Sequence, residues 1–544
     1  MSDLVNLPSI LVAIMLGATL LGAIYRRARS PRALRSSRFV SPADEQELIA
    51  LIRSAATAAR QIRVFGSGHS VRAAIHTDGR DHLDLVLDRL GHIVAWDDDR
   101  MQVTVQAGCN LGVDPQNPHS SAERSLLRQL EARGWALPDL GGITDQTVGG
   151  FLATGSAGGS VTHGFGDAVV RMRLIDGRGR VHVLEPDPDD PHDEQTNPFY
   201  AAGVSLGLLG VVTEVTFQCV PRYELIGDNE TRPIDDAPID LFEDGPGGLV
   251  EHLRDTPYTR LFWWHQRGLH KLQIWSARRA TPKDRDQTHP GGVPEPRPLA
   301  QIPGGRLGQR FLGALFSLAN AGPRPMGRLR RFVLTPVFNA MLASESQAFW
   351  GPWLDVLPMD DPIDHTILPC SFTELFIPLE RAPEVMRTLQ ECVANDPSGW
   401  MGTFAIELYA GKRSRFWLSP SYGADMLRVD VIEVARGRGQ PERDLFAKAW
   451  TVLKPFGFRY HWGKHMPPAS GEFGHVYTRQ RYPMWREFMR VRERFDPGQL
   501  FVSTYWREHL GIPQLARSRS PSGHAVPRAA PCSAPAAVDP LPSR

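Results

Sequence analysis

The sequence predicts an α+β protein of more than one globular unit, and three observations carry that expectation. The chain has 544 residues, too many for one ordinary core. A helical pattern near the start is followed by short apolar, strand-like runs separated by glycine loops. Glycine and proline number 50 and 45, well above the roughly 12% average share, so turns and backbone-lined surfaces abound. Apolar residues at 42% and charged residues at 22% exclude disorder throughout. A formal charge of +1 excludes a global field steering the chain to nucleic acid.

The ends come first. From Leu7 to Tyr25 nineteen residues run without a charge, and as a helix they would span about 28 Å, close to a bilayer's hydrocarbon thickness. Arg26, Arg27, Arg29, Arg32, Arg35 and Arg38 follow, and only Asp3 precedes. A cleaved signal would carry its positive charge ahead of the apolar run. Residues 1–38 are therefore expected to be a single-pass N-terminal membrane anchor, with the rest of the chain facing the cytoplasm. Five widely spaced cysteines without a CxxC pair suit reduced thiols, not a disulfide framework or zinc site. Residues 513–544 read as a disordered tail.

Within the chain, Ser41-Pro42-Ala43-Asp44 reads as a helix start, and Leu48, Ile49, Ile52 and Ala55 have helical spacing. Strand-like runs follow at Ile62–Phe65, Leu83–Leu87, Ile93–Trp96 and Met101–Gln106. Residues 281–303 read as a polar insertion. The arginine-bearing apolar stretch 306–342 reads either as a surface against the membrane or as ordinary helix packing.

Three glycine loops hold the functional signal. Gly66-Ser67-Gly68-His69-Ser70 follows a strand but lacks the third glycine of the dinucleotide fingerprint, because Val71 stands there. Gly141 to Gly150 leads into Thr154-Gly155-Ser156-Ala157-Gly158-Gly159, and Leu206 to Gly210 approaches the strand-like run at Val211. Such loops let backbone N–H groups converge on an anion such as a pyrophosphate.

Together with Trp417-Leu418-Ser419-Pro420, His461-Trp462-Gly463-Lys464-His465 and Arg494-Phe495-Asp496-Pro497-Gly498, these loops resemble the FAD-linked oxidases of the vanillyl-alcohol-oxidase type. The resemblance is nearest to the aldonolactone and alditol oxidases. It implies a two-part FAD-binding domain of the PCMH type at 39–223, an α/β cap domain at 224–450, and a segment 451–512 returning to the flavin. By resemblance, Val64, Phe65, Gly66, Ser67, Gly68, His69, Ser70, Thr147, Gly150, Thr154, Gly155, Ser156, Ala157 and Val211 contact FAD, with His69 the candidate for a covalent bond to the flavin. The second cysteine tether of some relatives has no counterpart near Ala153–Ala157, and Cys109 reads as a buried thiol. Relatives commonly carry Thr-His-Gly where this chain reads Ser156-Ala157-Gly158.

Oxidising an alcohol with flavin requires hydride acceptance, loss of the hydroxyl proton and stabilisation of negative charge on the ring. Lys464, one of six lysines in the chain, matches the family's active-site lysine. Glu407 matches a substrate-side glutamate, and His461 is a candidate second polar group or proton acceptor. Tyr409 stands where the family usually has a substrate-binding arginine, and a phenol brings one hydrogen bond and no charge. The expected substrate is a sugar lactone, alditol or similar polyol, with oxygen or a membrane electron acceptor reoxidising the flavin. A lipid-linked or otherwise hydrophobic alcohol, and a non-catalytic flavoprotein, are the rival readings.

Overall fold

A computed structural model describes residues 39–266, 268–286, 305–320, 346–361, 370–395, 404–434 and 444–515, with isolated positions between them. The first sheet is small and parallel, in the order Phe39–Val40, Leu83–Val86, Ile62–Phe65. Helix Glu45–Thr57 lays Leu48, Ile49, Ile52 and Ala55 against it, as the spacing predicts. The helix starts later than the sequence suggests. Asp44 is the N-cap, accepting from Glu47 N at 2.9 Å, while Glu47 accepts from Ala43 N at 2.6 Å. This reciprocal cap leaves Pro42 outside the helix.

A five-stranded antiparallel sheet follows, in the order Ile93–Asp97, Gln102–Gln106, Val211–Gln218, Val169–Ile175, Val181–Leu184. The C-terminal segment closes onto this half of the molecule. Ile62 N donates to Leu500 O at 2.8 Å, and the buried Asp496 carboxylate accepts from Leu500 N and Phe501 N at 2.8 and 2.9 Å. Buried Arg63 donates to the carbonyls of Phe501, Ala74, Leu206 and Gly207. It thus ties segments far apart in sequence to one point.

The third sheet is antiparallel with eight strands: Ser346–Pro352, Glu224–Pro233, Lys271–Arg279, Tyr258–Trp264, Ile406–Gly411, Met426–Val434, Cys370–Pro378 and Arg459–Tyr460. Strand alternation gives its two faces different chemistry. One face buries Leu261, Leu375, Leu408 and Val429 with Val385, Met386 and Leu389 of helix Ala382–Ala394 and Phe446 of helix Leu445–Leu453. The opposite face carries Arg260, Glu407, Tyr409, Arg428, Asp430 and Glu374, bordered by the apolar cluster of Phe262, Trp264, Ala405 and Ile432.

The expectation of a single-pass membrane protein facing the cytoplasm is corrected here. Among the described residues no helix is long and apolar enough to cross a membrane. The longest, Gly305–Asn320, has 16 residues, about 24 Å at the helical rise, and it carries Arg306 and Arg310. Its Leu312 packs into the apolar cluster beside Trp264, the ordinary packing that was one of the two readings. The apolar run 7–25, most of the insertion at 281–303 and the tail from 516 onward lie outside the described residues.

Candidate active site

The predicted cofactor loops meet. Gly68 has a φ of +82° with Phe65's ring 2.9 Å from where a Cβ would be, so this turn needs glycine. Among the described residues the N–H groups of Ser67, Gly68 and Ser70 donate to no backbone carbonyl. Ser67 Oγ donates to Asp145 O at 2.6 Å, and Asn110 Nδ2 donates to Asp145 O at 2.7 Å and to Ser67 Oγ at 3.1 Å. The loop is thereby fixed to residues 144–147, and Thr147 caps helix Val148–Ala153 through Gly150 N. Val71 N donates to Gly463 O at 2.9 Å, bringing in the C-terminal segment. Val211 lies in the small buried cluster with Ala107, Ile175 and Phe501, and Val64 packs at its edge.

His69 Nε2 is 2.8 Å from Asp145 Oδ1. Burial depresses the imidazole, but Asp145, with Asp114 and Asp361 adding to it, outweighs that and raises its pKa above the ordinary value. Ser156 Oγ is 3.2 Å from His461 Nε2, while His461 Nδ1 accepts from Gly463 N at 3.0 Å. That pairing fixes the proton on Nε2 and points it at Ser156. Burial holds the ring neutral, with its pKa lowered to about 4.

The loop 154–160 lies across the charged sheet face. Arg428 Nη1 donates to Ala157 O at 3.2 Å and Gly158 O at 2.5 Å, and Thr259 N donates to Gly159 O at 3.1 Å. A Cβ at Gly159 would stand 2.5 Å from Thr259 O and 3.2 Å from Tyr409, so only glycine permits this approach. Asp361 accepts from Thr144 N and Oγ1 at 2.7 and 2.6 Å, clipping the second cofactor loop to the turn whose Asp360 pairs with Arg260 of that sheet.

On that face register places two rows side by side. Arg260, Tyr409, Arg428 and Phe376 are cross-strand neighbours, and so are Phe262, Glu407, Asp430 and Glu374. Glu374 is held by Arg428 Nε at 2.5 Å and Lys464 Nζ at 2.9 Å, and Lys464 also pairs with Asp430. Arg260 Nη1 is 2.8 Å from Asp360 Oδ1 and 3.3 Å from Glu407 Oε1. Burial depresses Lys464, yet Asp430 and Glu374 together hold it above the usual lysine range. Burial raises Glu407 to about 7 against the pull of Arg260. Asp430 is pushed well above the carboxylate range by burial and by Glu374 and Glu407, although Lys464 opposes this.

Residues 36–185 match the FAD-binding domain family, and residues 215–509 match the D-arabinono-1,4-lactone oxidase family. The chain belongs to the D-arabinono-1,4-lactone oxidase family. L-gulonolactone oxidase of Mus musculus is 26% identical over 86% of this chain and 92% of its own length. L-gulono-1,4-lactone dehydrogenase of Mycobacterium tuberculosis is 26% identical over 87% and 96%. In fold the chain is similar to cholesterol oxidase from Brevibacterium sterolicum, with a TM-score of 0.64, 14% identity, and coverage of 87% of this chain and 94% of that one.

This member of the D-arabinono-1,4-lactone oxidase family is thus a flavin enzyme whose cofactor is FAD. Its residues fit the group: the glycine loop with undonated N–H groups suits a pyrophosphate, and Ser156, His461 and Lys464 bring polar groups to the junction of loop and sheet. Sequence reasoning brought Lys464, Glu407, Tyr409 and His461 to one place. It did not single out Arg260, Asp360, Glu374, Arg428 or Asp430 as site residues. A signal existed in Leu427-Arg428-Val429-Asp430-Val431, where charges alternate with apolar residues along one strand.

Proposed function

We propose that the chain oxidises a CH–OH carbon of a sugar-1,4-lactone or related polyol, and that molecular oxygen takes the electrons as hydrogen peroxide. The observation that carries this reading is the set of unsatisfied polar atoms on the charged face. Arg260 Nε and Asp430 Oδ1 are buried without a hydrogen bond, and Glu407 Oε1 has only its ion contact to Arg260 among the described residues. A ligand with several hydroxyls would complete them. The names of the mouse and mycobacterial relatives support a lactone.

Bound FAD supplies the two-electron acceptor. Glu407 accepts the hydroxyl proton, its pKa of about 7 matching a base that works near neutral pH. Lys464, kept cationic by the ionised Glu374, stabilises negative charge at the loop–sheet junction. Arg260 fixes the orientation of Glu407 and offers Nε to the substrate. Tyr409, with Arg428 4.6 Å from its ring centre, forms the floor. His461 uses both ring nitrogens within the protein and so positions Ser156; it is not the proton acceptor. In the proposed architecture the PCMH-type half supplies the loops and the cap supplies the charged sheet, while His69 carries the flavin covalently. Oxygen uptake and peroxide release with L-gulono-, D-arabinono- and related lactones, set against alditols, test the substrate class. Peroxide formation with a lactone supports it, and turnover confined to apolar alcohols overturns it.

A further inference from the structure

We infer that Asp145 is the positioning residue for covalent attachment of the flavin at His69, fixing the imidazole so that Nδ1 is its nucleophilic nitrogen. The inference rests on the proposed His69 tether and goes beyond it, since nothing in the motif assigns Asp145 a role.

The geometry is a carboxylate–imidazole pair at the cofactor loop. Asp145 Oδ1 lies 2.8 Å from His69 Nε2, and the two side chains are similarly exposed, 26% for His69 and 24% for Asp145. The pair is braced from behind. Asp145 O accepts from Ser67 Oγ and Asn110 Nδ2, which ties the Asp145 backbone to the histidine loop. The pair is an ion contact without an aligned hydrogen bond. A neutral imidazole carries one proton, and the field of the carboxylate beside Nε2 favours it there, which leaves the lone pair on Nδ1. When a carbon bonds to Nδ1 the ring becomes a cation, and the carboxylate stabilises it. This is the role a buried aspartate plays behind a catalytic histidine.

The balance of the step is as follows. A C–H bond of the flavin 8-methyl group breaks and its proton leaves to water. A bond forms between that carbon and His69 Nδ1, and two electrons pass to the flavin ring. The imidazolium, stabilised by the Asp145 carboxylate, then yields its Nε2 proton to water. Molecular oxygen removes the two electrons with two protons as hydrogen peroxide, restoring the oxidised flavin.

The other charged groups facing His69 are Asp114 and Asp361. All three are acids, so the coupling rate should rise with pH through a midpoint above the ordinary imidazole value of about 6.5.

The test uses the full chain with FAD added to apoprotein. Covalent flavin is read over time by fluorescence of denatured protein and by peptide mass, and bound FAD is read separately before denaturation. The expected result is covalent flavin on His69 in the wild type, none in His69→Ala, and coupling slowed about tenfold or more in Asp145→Asn. FAD should still bind Asp145→Asn, and Asp145→Glu should recover part of the rate. A wild type without covalent flavin refutes the tether itself. Covalent flavin in the wild type with an unchanged Asp145→Asn rate leaves the tether standing and overturns the role of Asp145. Should Asp145→Asn fail to hold FAD, the wild-type pH profile decides: a midpoint at or below the ordinary imidazole value overturns the inference.

Discussion

Lys464 Nζ stands 2.9 Å from the Glu374 carboxylate that Arg428 grips from its other side. This shared carboxylate joins the His-Trp-Gly-Lys segment to the charged sheet, so Lys464 cannot be exchanged without disturbing two buried acids. Lys464→Met should slow flavin reduction by about a hundredfold or more, while FAD remains bound. Lys464→Arg should retain more activity, because the charge stays. Rapid-mixing kinetics of flavin bleaching checks both variants.

Glu407 sets the pH dependence. Its pKa is raised to about 7 by burial, so the carboxylate that accepts a proton is present above that value and lost below it. The kcat/KM profile should therefore rise as pH increases through about 7. Glu407→Gln should remove that limb and lower kcat more than it raises KM.

Arg260 compensates two acids at once, Asp360 and Glu407. Arg260→Leu should leave both uncompensated and cost about 3–5 kcal/mol of stability, seen as a lower thermal midpoint. Arg260→Lys keeps the charge but not Nε, so it should raise KM with most of the stability retained. In that variant the Glu407 limb of the pH profile should stay near its wild-type position.

Arg63 tests the closure of the fold. It satisfies carbonyls of Ala74, of Leu206 in the loop before strand Val211–Gln218, and of Phe501 in the C-terminal return. Arg63→Met should cost about 2 kcal/mol or more by orphaning those carbonyls. It should weaken FAD retention without altering the pH profile, as flavin release on mild heating would register.

What was legible in the sequence was local. The glycine loops, the Gly68-His69 turn and the His-Trp-Gly-Lys segment announce themselves because their chemistry needs fixed spacing along the chain. The partners of those residues come from register: Arg260 meets Tyr409 because strands distant in sequence pair directly, and Glu407 meets Asp430 through the alignment of two successive strands. Tyr409 in place of an arginine looked like a lost charge. Guanidinium groups in fact flank it on both neighbouring strands, at Arg260 and Arg428. The helix start was misplaced by three residues because Pro42 suggested a first turn, whereas Asp44 and Glu47 complete a reciprocal cap further on. The membrane expectation came from the apolar run 7–25 and the arginines after it, and no described helix supports it.

The central claim is that Glu407 and Lys464 act on a lactone or polyol bound at the charged sheet face. Anaerobic mixing of the flavin-loaded enzyme with sugar-1,4-lactones and alditols tests it most directly. The account predicts full loss of oxidised-flavin absorbance in the wild type with at least one lactone, and bleaching slowed about a hundredfold in Lys464→Met and Glu407→Gln. Bleaching as fast in both variants as in the wild type, or none with any lactone or polyol, would contradict it.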